Sequence, residues 1–130
     1  MSGERELAIL LSNLQPSLTP GEYVFCSVGH GLAPVSDVQP LATVSEPEGL
    51  TVVLLVEEAE RLGLRFQGRF RCIRLEVHSS LEAVGLTAAV ATALAQHGIS
   101  ANMLAGAYHD HVLVPADRCE DALCALLDIS

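Results

Sequence analysis

The chain has 130 residues, half of them hydrophobic but only 4% aromatic, with a formal net charge of −9. That length suits one domain, or two small ones, around an aliphatic core. The acidic balance argues against nucleic-acid and anionic-membrane partners. Because the chain contains no Lys, Schiff-base chemistry and a Walker-type phosphate site are excluded.

Cysteine usage and hydropathy indicate where the protein resides. The sequence shows no signal-peptide pattern, and its longest strongly apolar run, residues 50–56, is too short to span a membrane. Four cysteines form no CxxC pair, which is typical of small buried hydrophobic residues in a reducing compartment. We therefore expect a cytoplasmic protein with reduced, structural cysteines and no cofactor.

The first half predicts one leading helix followed by strands. Leucines at positions 7, 10, 11 and 14 have helical spacing, which favours an amphipathic helix over residues 4–14 that ends before Pro16. The next predicted elements are a strand over 22–28, a weaker strand over 40–46, an apolar strand over 50–55 and a short acidic helix over 57–62.

The second half alternates strands and helices more clearly. Residues 69–77 have the period of a half-buried strand, and residues 83–97 that of a helix ended by Gly98. Strands over 100–107 and 111–114 follow. Asp117 is predicted to cap the last helix. The buried stripe of that helix is predicted to be Cys119, Ala122, Leu123, Leu126 and Leu127.

This order of elements determines the predicted fold class. The second half reads β-α-β-β-α, most of a ferredoxin-like unit, and the first half has a similar order if it shares or borrows strand 66–77. We therefore predict an α+β, ferredoxin-like fold with two tandem βαββαβ halves and antiparallel sheets. The predicted domains are residues 1–67, including the leading helix, and residues 68–130.

The junction of strand 69–77 with its helix is the first candidate site. Ser79 and Ser80 provide turn and capping chemistry, and Gly85 lies near the start of the helix. Free N–H groups at a helix start suit a small anion such as a carboxylate, and a glycine permits close approach. The alternative is that the serines only cap the helix and Gly85 only packs.

Four sequence segments carry a family resemblance. They are HSSLEAVGLTA (78–88), GAYHDHVLV (106–114), GEYVFCSV (21–28) and EGLTVVLLVEEAERLGL (48–64). Together they resemble a small bacterial family of tandem ACT-domain proteins, and the second half is similar to the ACT domains of CASTOR-type arginine sensors. ACT domains are regulatory βαββαβ modules that commonly bind amino acids and assemble side by side. The resemblance therefore implies a ligand-binding, non-catalytic homo-oligomer.

One departure from the ACT pattern affects the predicted site. The usual strand-to-helix loop of an ACT domain carries an Asp and a Pro before its Gly, whereas this chain has Ser79-Ser80-Leu81-Glu82. Glu82 or Asp110 would then have to receive the ammonium of an amino acid, while its carboxylate binds N–H groups near residues 84–86. The predicted ligand-binding residues are Ser79, Ser80, Glu82, Val84, Gly85, Leu86, Tyr108 and Asp110. Replacing Gly85 by Val is expected to abolish binding at little cost to the fold.

Two alternatives remain open at this point. His109, Asp110 and His111 have residue types suited to a metal-dependent enzyme, although two histidines lack a third ligand nearby. The other alternative is an interaction module that oligomerises through its sheets and binds no small molecule.

Overall fold

A computed structural model describes residues 3–30, 36–76 and 85–130, with side chains described from residue 7. Its helices are α1 (Gly3–Ser12), α2 (Val56–Arg61), α3 (Leu86–Gln96) and α4 (Cys119–Ile129). Its strands are β1 (Pro16–Leu18), β2 (Tyr23–Ser27), β3 (Ala42–Glu46), β4 (Gly49–Leu55), β5 (Phe70–Leu75), β6 (Asn102–Ala105) and β7 (Asp110–Pro115).

Contacts divide the chain into two compact units, and the smaller one is Gly21–Phe70. In it β4 pairs antiparallel with both β3 and β2. Alternate residues of β2 and β4 face α2, because side chains of a strand point to opposite faces in turn. The resulting aliphatic core consists of Val24, Cys26, Val52, Leu54, Val56 and Ala59.

The larger unit combines Met1–Pro20 with Arg71–Ser130. Its strands lie in the order β1-β5-β7-β6. Helices α3 and α4 pack on one face of this sheet through their apolar stripes. The core contains Ile73, Leu75, Leu86, Val90, Leu94, Val112, Val114, Ala122 and Leu126, together with smaller neighbours.

Strand β1 is an element that the sequence did not predict. Pro16 pairs with Leu75, and Leu18 pairs with Ile73, in antiparallel register. Three residues are too few to show an alternating pattern, and a Pro is tolerated at the first position of an edge strand. The compact units thus place residues 1–20 with the C-terminal part, and the division into domains at 67/68 stays a prediction.

The start of α4 corrects the predicted cap. A 3-10 turn, Ala116–Arg118, precedes α4, and Arg118 is the N-cap residue with no capping side-chain hydrogen bond. Asp117 as N-cap is therefore wrong. Arg118 instead donates a hydrogen bond of 3.0 Å to the His97 carbonyl at the end of α3, which satisfies a carbonyl that has no partner within its helix.

The cysteines behave largely as predicted. Cys26, Cys72 and Cys119 are buried, Cys124 is exposed, and all four are free thiols. Burial raises the pKa of the Cys26 and Cys72 thiols, which keeps them protonated and unreactive. None of the described helices has the length and apolarity to cross a bilayer.

Candidate functional site

The start of α3 has an uncommon cap. Gly85 is the N-cap residue, with φ +97° in the left-handed region, and its carbonyl accepts the first helical hydrogen bond from the Ala89 N–H at 2.9 Å. A glycine has no side chain that can accept hydrogen bonds from the first-turn N–H groups. Leu86 and Val90, both buried, hold this end of the helix on the sheet.

The backbone at position 85 requires glycine for conformational reasons. Any L side chain is strained at φ +97°, and a Cβ added there would lie 3.4 Å from Leu7 Cδ2. Gly85→Val therefore costs more than helix propensity alone, on the order of 1 kcal/mol or more. The expectation that this substitution costs only a few tenths of a kcal/mol in helix propensity is therefore wrong.

The predicted ligand-binding residues are placed unevenly. Ser79, Ser80, Glu82 and Val84 lie outside the described residues. Gly85 and Leu86 are adjacent at the start of α3, and the Leu86 side chain is only 2% exposed, so Leu86 offers its backbone to a ligand. Tyr108 and Asp110 lie in the β6–β7 hairpin. Their assignment to one site stays a prediction.

The β6–β7 hairpin is closed by a tight turn. The Gly106 N–H donates to the His109 carbonyl at 2.9 Å, and Ala105 pairs with Asp110 at the last position of the ladder. A Cβ on Gly106 would come within 2.9 Å of the same carbonyl oxygen. Tyr108 is 85% exposed at the tip, which leaves its ring free to contact a ligand or a partner.

Glu76 links this hairpin to the strand that leads into the predicted turn. Its Oε2 lies 3.4 Å from His109 Nδ1, and its Oε1 lies 3.4 Å from Arg74 Nη1. Glu76 is also the last described residue before 77–84. The sequence pattern did not predict that Glu76 contacts Arg74 and His109. Arg74 and Glu76 alternate with buried residues at the end of β5, so the sequence indicated that both side chains point outward. It did not indicate which side chains they would pair with.

A metal centre receives no support from the described part of the chain. Within those residues, no three side chains of His, Cys, Asp or Glu come together in an arrangement suited to a metal ion. His109 is engaged with Glu76, and His111 is partly buried opposite Leu104 in the ladder. The enzyme alternative built on His109, Asp110 and His111 therefore lacks a geometric basis there.

The environment of His111 makes stability dependent on pH. Burial lowers its pKa, nearby Arg74 and His109 lower it further, and a backbone hydrogen bond with Leu104 and the Asp110 carboxylate act in the opposite direction. The unfolded chain then binds a proton at a higher pH than the folded chain. Neutral His111 therefore contributes its full share of the folding stability above about pH 6.5, the pKa of an unfolded histidine. That share is lost as the pH falls from there through the lower pKa that His111 has in the folded protein.

We expect His111→Gln to flatten this part of the pH profile. Urea unfolding between neutral pH and about pH 5 should show wild type losing more stability than the variant. The difference in slope is at most about 1.4 kcal/mol per pH unit, the limit for one proton. Parallel profiles for the two proteins would contradict the assignment.

Matches to known protein families cover most of the chain. Two ACT-domain families match the sequence, one over residues 2–71 and the other over residues 67–128. The chain belongs to the ACT-domain family. Two matches in succession confirm the tandem ACT arrangement and the α+β fold that the sequence predicted. ACT domains are regulatory modules, and neither match indicates a catalytic family.

Solved structures share this fold. A Vibrio cholerae protein of unknown function, described as a possible transport protein, is 50% identical, with a TM-score of 0.90 and 98% of each chain covered. The ligand-free regulatory subunit of Thermus thermophilus aspartate kinase is 11% identical, with a TM-score of 0.71 over 88% of this chain and 95% of that one. That likeness concerns the fold alone.

A longer solved protein contains a similar fold as one part of its chain. Escherichia coli aspartokinase III, in complex with aspartate and ADP, is 12% identical, with a TM-score of 0.60. The match covers 92% of this chain but only 33% of aspartokinase III. No curated protein matches the sequence significantly.

Proposed function

We propose that this ACT protein is a cytoplasmic, non-catalytic regulatory protein that binds an amino acid at the start of α3. The observation that supports this most is the cap of α3, where Gly85 at φ +97° leaves the first-turn N–H groups without an acceptor on the cap residue. Four free cysteines support a reducing compartment.

The chemistry of the proposed site follows from the helix start. The ligand carboxylate would accept hydrogen bonds from backbone N–H groups near residues 84–86, where the helix dipole favours negative charge. The ammonium would meet Glu82 or Asp110, and Tyr108 would cover the ligand. Since aspartokinase III is solved with aspartate, L-aspartate is the first amino acid to test.

Assembly is the second part of the proposal. Strands β3 and β6 each have one paired neighbour among the described strands, and such edges invite pairing with another chain. We expect a homo-oligomer whose association is coupled to ligand binding. Light scattering that gives only a 13.8 kDa species at all concentrations would contradict it.

The experiment that tests the site combines a ligand screen with a matched pair of glycine variants. Each common L-amino acid is added in a thermal-shift assay, where a ligand at 100 times its Kd adds about 2.7 kcal/mol. Calorimetry then compares wild type with Gly85→Ala and Gly98→Ala. Both glycines have positive φ at opposite ends of the same helix, and a Cβ at Gly98 meets nothing within 4 Å.

The two variants separate binding from backbone strain. Each should lose about 1 kcal/mol of stability, but only Gly85→Ala should weaken amino-acid binding, by about tenfold or more. Equal affinities in both variants would remove the start of α3 from consideration. A screen in which no amino acid stabilises the protein would instead favour the interaction module without a small ligand.

A further inference from the structure

The segment that joins α2 to β5, residues 64–69, is held at both of its ends. At its start, the Leu64 N–H donates a hydrogen bond of 2.9 Å to the Ala59 carbonyl of α2. At its far end, Phe70 pairs with Tyr23 of β2. Because both ends are fixed, the groups between them are positioned before any ligand arrives, which lowers the entropy cost of binding.

Four residues of this segment line a cavity in the smaller unit. Leu64 and Phe66 are partly buried and pack against the core of that unit, whereas Arg65 and Gln67 are exposed. The cavity that these four residues line has a volume of about 570 Å³. Small-molecule sites typically have volumes of about 300–1,000 Å³, with mainly apolar walls and a few polar groups. The cavity therefore has the size and the mixed lining of a ligand site.

Arg65 is the polar group that sets the chemistry of this cavity. Five of the seven arginines of the chain lie between residues 61 and 74. Four of them have internal partners, which are Asp37 and Glu58 for Arg61, Glu22 for Arg69, the Thr19 carbonyl for Arg71 and Glu76 for Arg74. No residue that the structure describes forms an ion pair or a hydrogen bond with the Arg65 guanidinium. In a chain with 16 acidic residues, this guanidinium stays available to an anion from solution.

The backbone beside Arg65 also has unused hydrogen-bonding groups. Within the described part of the chain, the N–H and C=O groups of residues 65–67 make no hydrogen bond. Backbone groups without an internal partner are satisfied by water or by a ligand. The residues that line the cavity therefore offer three kinds of donor, which are the Arg65 guanidinium, the Gln67 amide and backbone N–H groups.

We propose that residues 64–67 bind a small organic anion that carries an apolar group. The apolar group would lie on Leu64 and Phe66, and the anionic group would accept hydrogen bonds from Arg65. A guanidinium binds carboxylate and phosphate alike, so the anion is either of these. The net charge of −9 repels anions, but salt screens that repulsion beyond about 8 Å at physiological ionic strength. This site is in the smaller unit, so it does not rest on the proposed amino-acid site at α3.

The test titrates the ¹⁵N-labelled full chain with three probes, and NMR follows the backbone amide signals at physiological ionic strength. Benzoate and benzamide share an aromatic ring and differ in charge, and phenyl phosphate shows whether phosphate is preferred to carboxylate. The titrations are repeated on Arg65→Gln and on Arg69→Gln as a matched control. Both arginines are exposed in the same segment, but Arg69 is paired with Glu22 and does not line the cavity.

We expect benzoate or phenyl phosphate to shift the amide signals of residues 65–67 in a saturable manner. Benzamide should bind at least about tenfold more weakly, because it offers no charge to the guanidinium. Arg65→Gln should weaken binding of the anion about tenfold or more, the effect of losing a hydrogen bond to a charged group. Arg69→Gln should change Kd by less than about twofold.

Three results would overturn the proposal. They are the absence of saturable shifts with either anion at millimolar concentration, equal affinity for benzoate and benzamide, and equal weakening by Arg65→Gln and Arg69→Gln. The comparison of benzoate with benzamide needs wild type alone, so it decides the question even if a variant folds poorly. Loss of amino-acid binding in Gly85→Ala tests the proposed function separately and leaves this site unaffected.

Discussion

Leu126→Ala is expected to lower the free energy of unfolding by about 3 kcal/mol, whereas Leu127→Ala should change it by less than about 1 kcal/mol. The two leucines are consecutive in α4. Leu126 is fully buried in the core of the larger unit, and Leu127 is 51% exposed. Truncating Leu126 loses the transfer free energy of its methyl groups and leaves a cavity, whereas most of Leu127 already contacts water.

Urea unfolding of the two variants measures this difference directly. The pair shares residue type, helix and neighbouring sequence, so helix propensity changes equally in both. The m-value should stay constant, because neither substitution changes the extent of the surface that unfolds. Equal losses in the two variants would mean that the apolar face of α4 is covered as the sequence predicted, for example by a second copy of the chain.

Leu127 illustrates how far periodicity reaches. Positions 119, 122, 123, 126 and 127 form the usual helical stripe, and the sequence predicted all five as buried. In the structure, Cys119, Ala122 and Leu126 are buried as predicted, and Leu123 is partly buried. Ala125 is buried although it was not predicted to be, and Leu127 is exposed. Consecutive residues differ by about 100° around a helix, and the pattern alone does not fix which edge of a stripe contacts the sheet.

The predicted fold was correct where elements are long and alternate regularly. Strands β2, β4 and β5 and helices α1 and α3 lie where periodicity placed them, within a few residues. Strand β1 could not be found in this way, because its three residues acquire their structure from pairing with β5, more than fifty residues away. Local pattern carries no information on such a long-range pairing.

The sequence predicted that Gly85 lies at the start of a helix, but not what surrounds it. The position of Gly85 at a helix start was readable from the turn and the spacing of apolar residues. Several features of its surroundings depend on residues that are distant in sequence. They are the positive φ of Gly85, its proximity to Leu7, and the contact between Glu76 and His109. Asp117 shows the converse case, since a plausible capping sequence is overridden by the bond of Arg118 to the end of α3.

Gly49→Ala is expected to cost about 3 kcal/mol of stability, because backbone strain and a backbone clash coincide at this position. Gly49 pairs with Glu46 at the closed end of the β3–β4 hairpin and has φ +143°. A Cβ there would lie 2.8 Å from the Gly29 carbonyl oxygen and 2.9 Å from the Gly29 Cα. Backbone atoms cannot rotate away as a flexible side chain can, so β4 or the segment at Gly29 must shift.

Gly63→Ala is the matched control for this clash. Gly63 lies in the same unit and has φ +70°, but a Cβ there meets nothing within 4 Å. Its substitution should cost only the conformational strain, about 1 kcal/mol. Thermal and urea unfolding measure the stability loss of each variant. The difference between the two losses is the free-energy cost of the backbone clash, which we expect to be about 2 kcal/mol. Equal losses would show that the hairpin end relaxes without penalty, and the close approach of Gly49 to Gly29 would then not constrain the sheet.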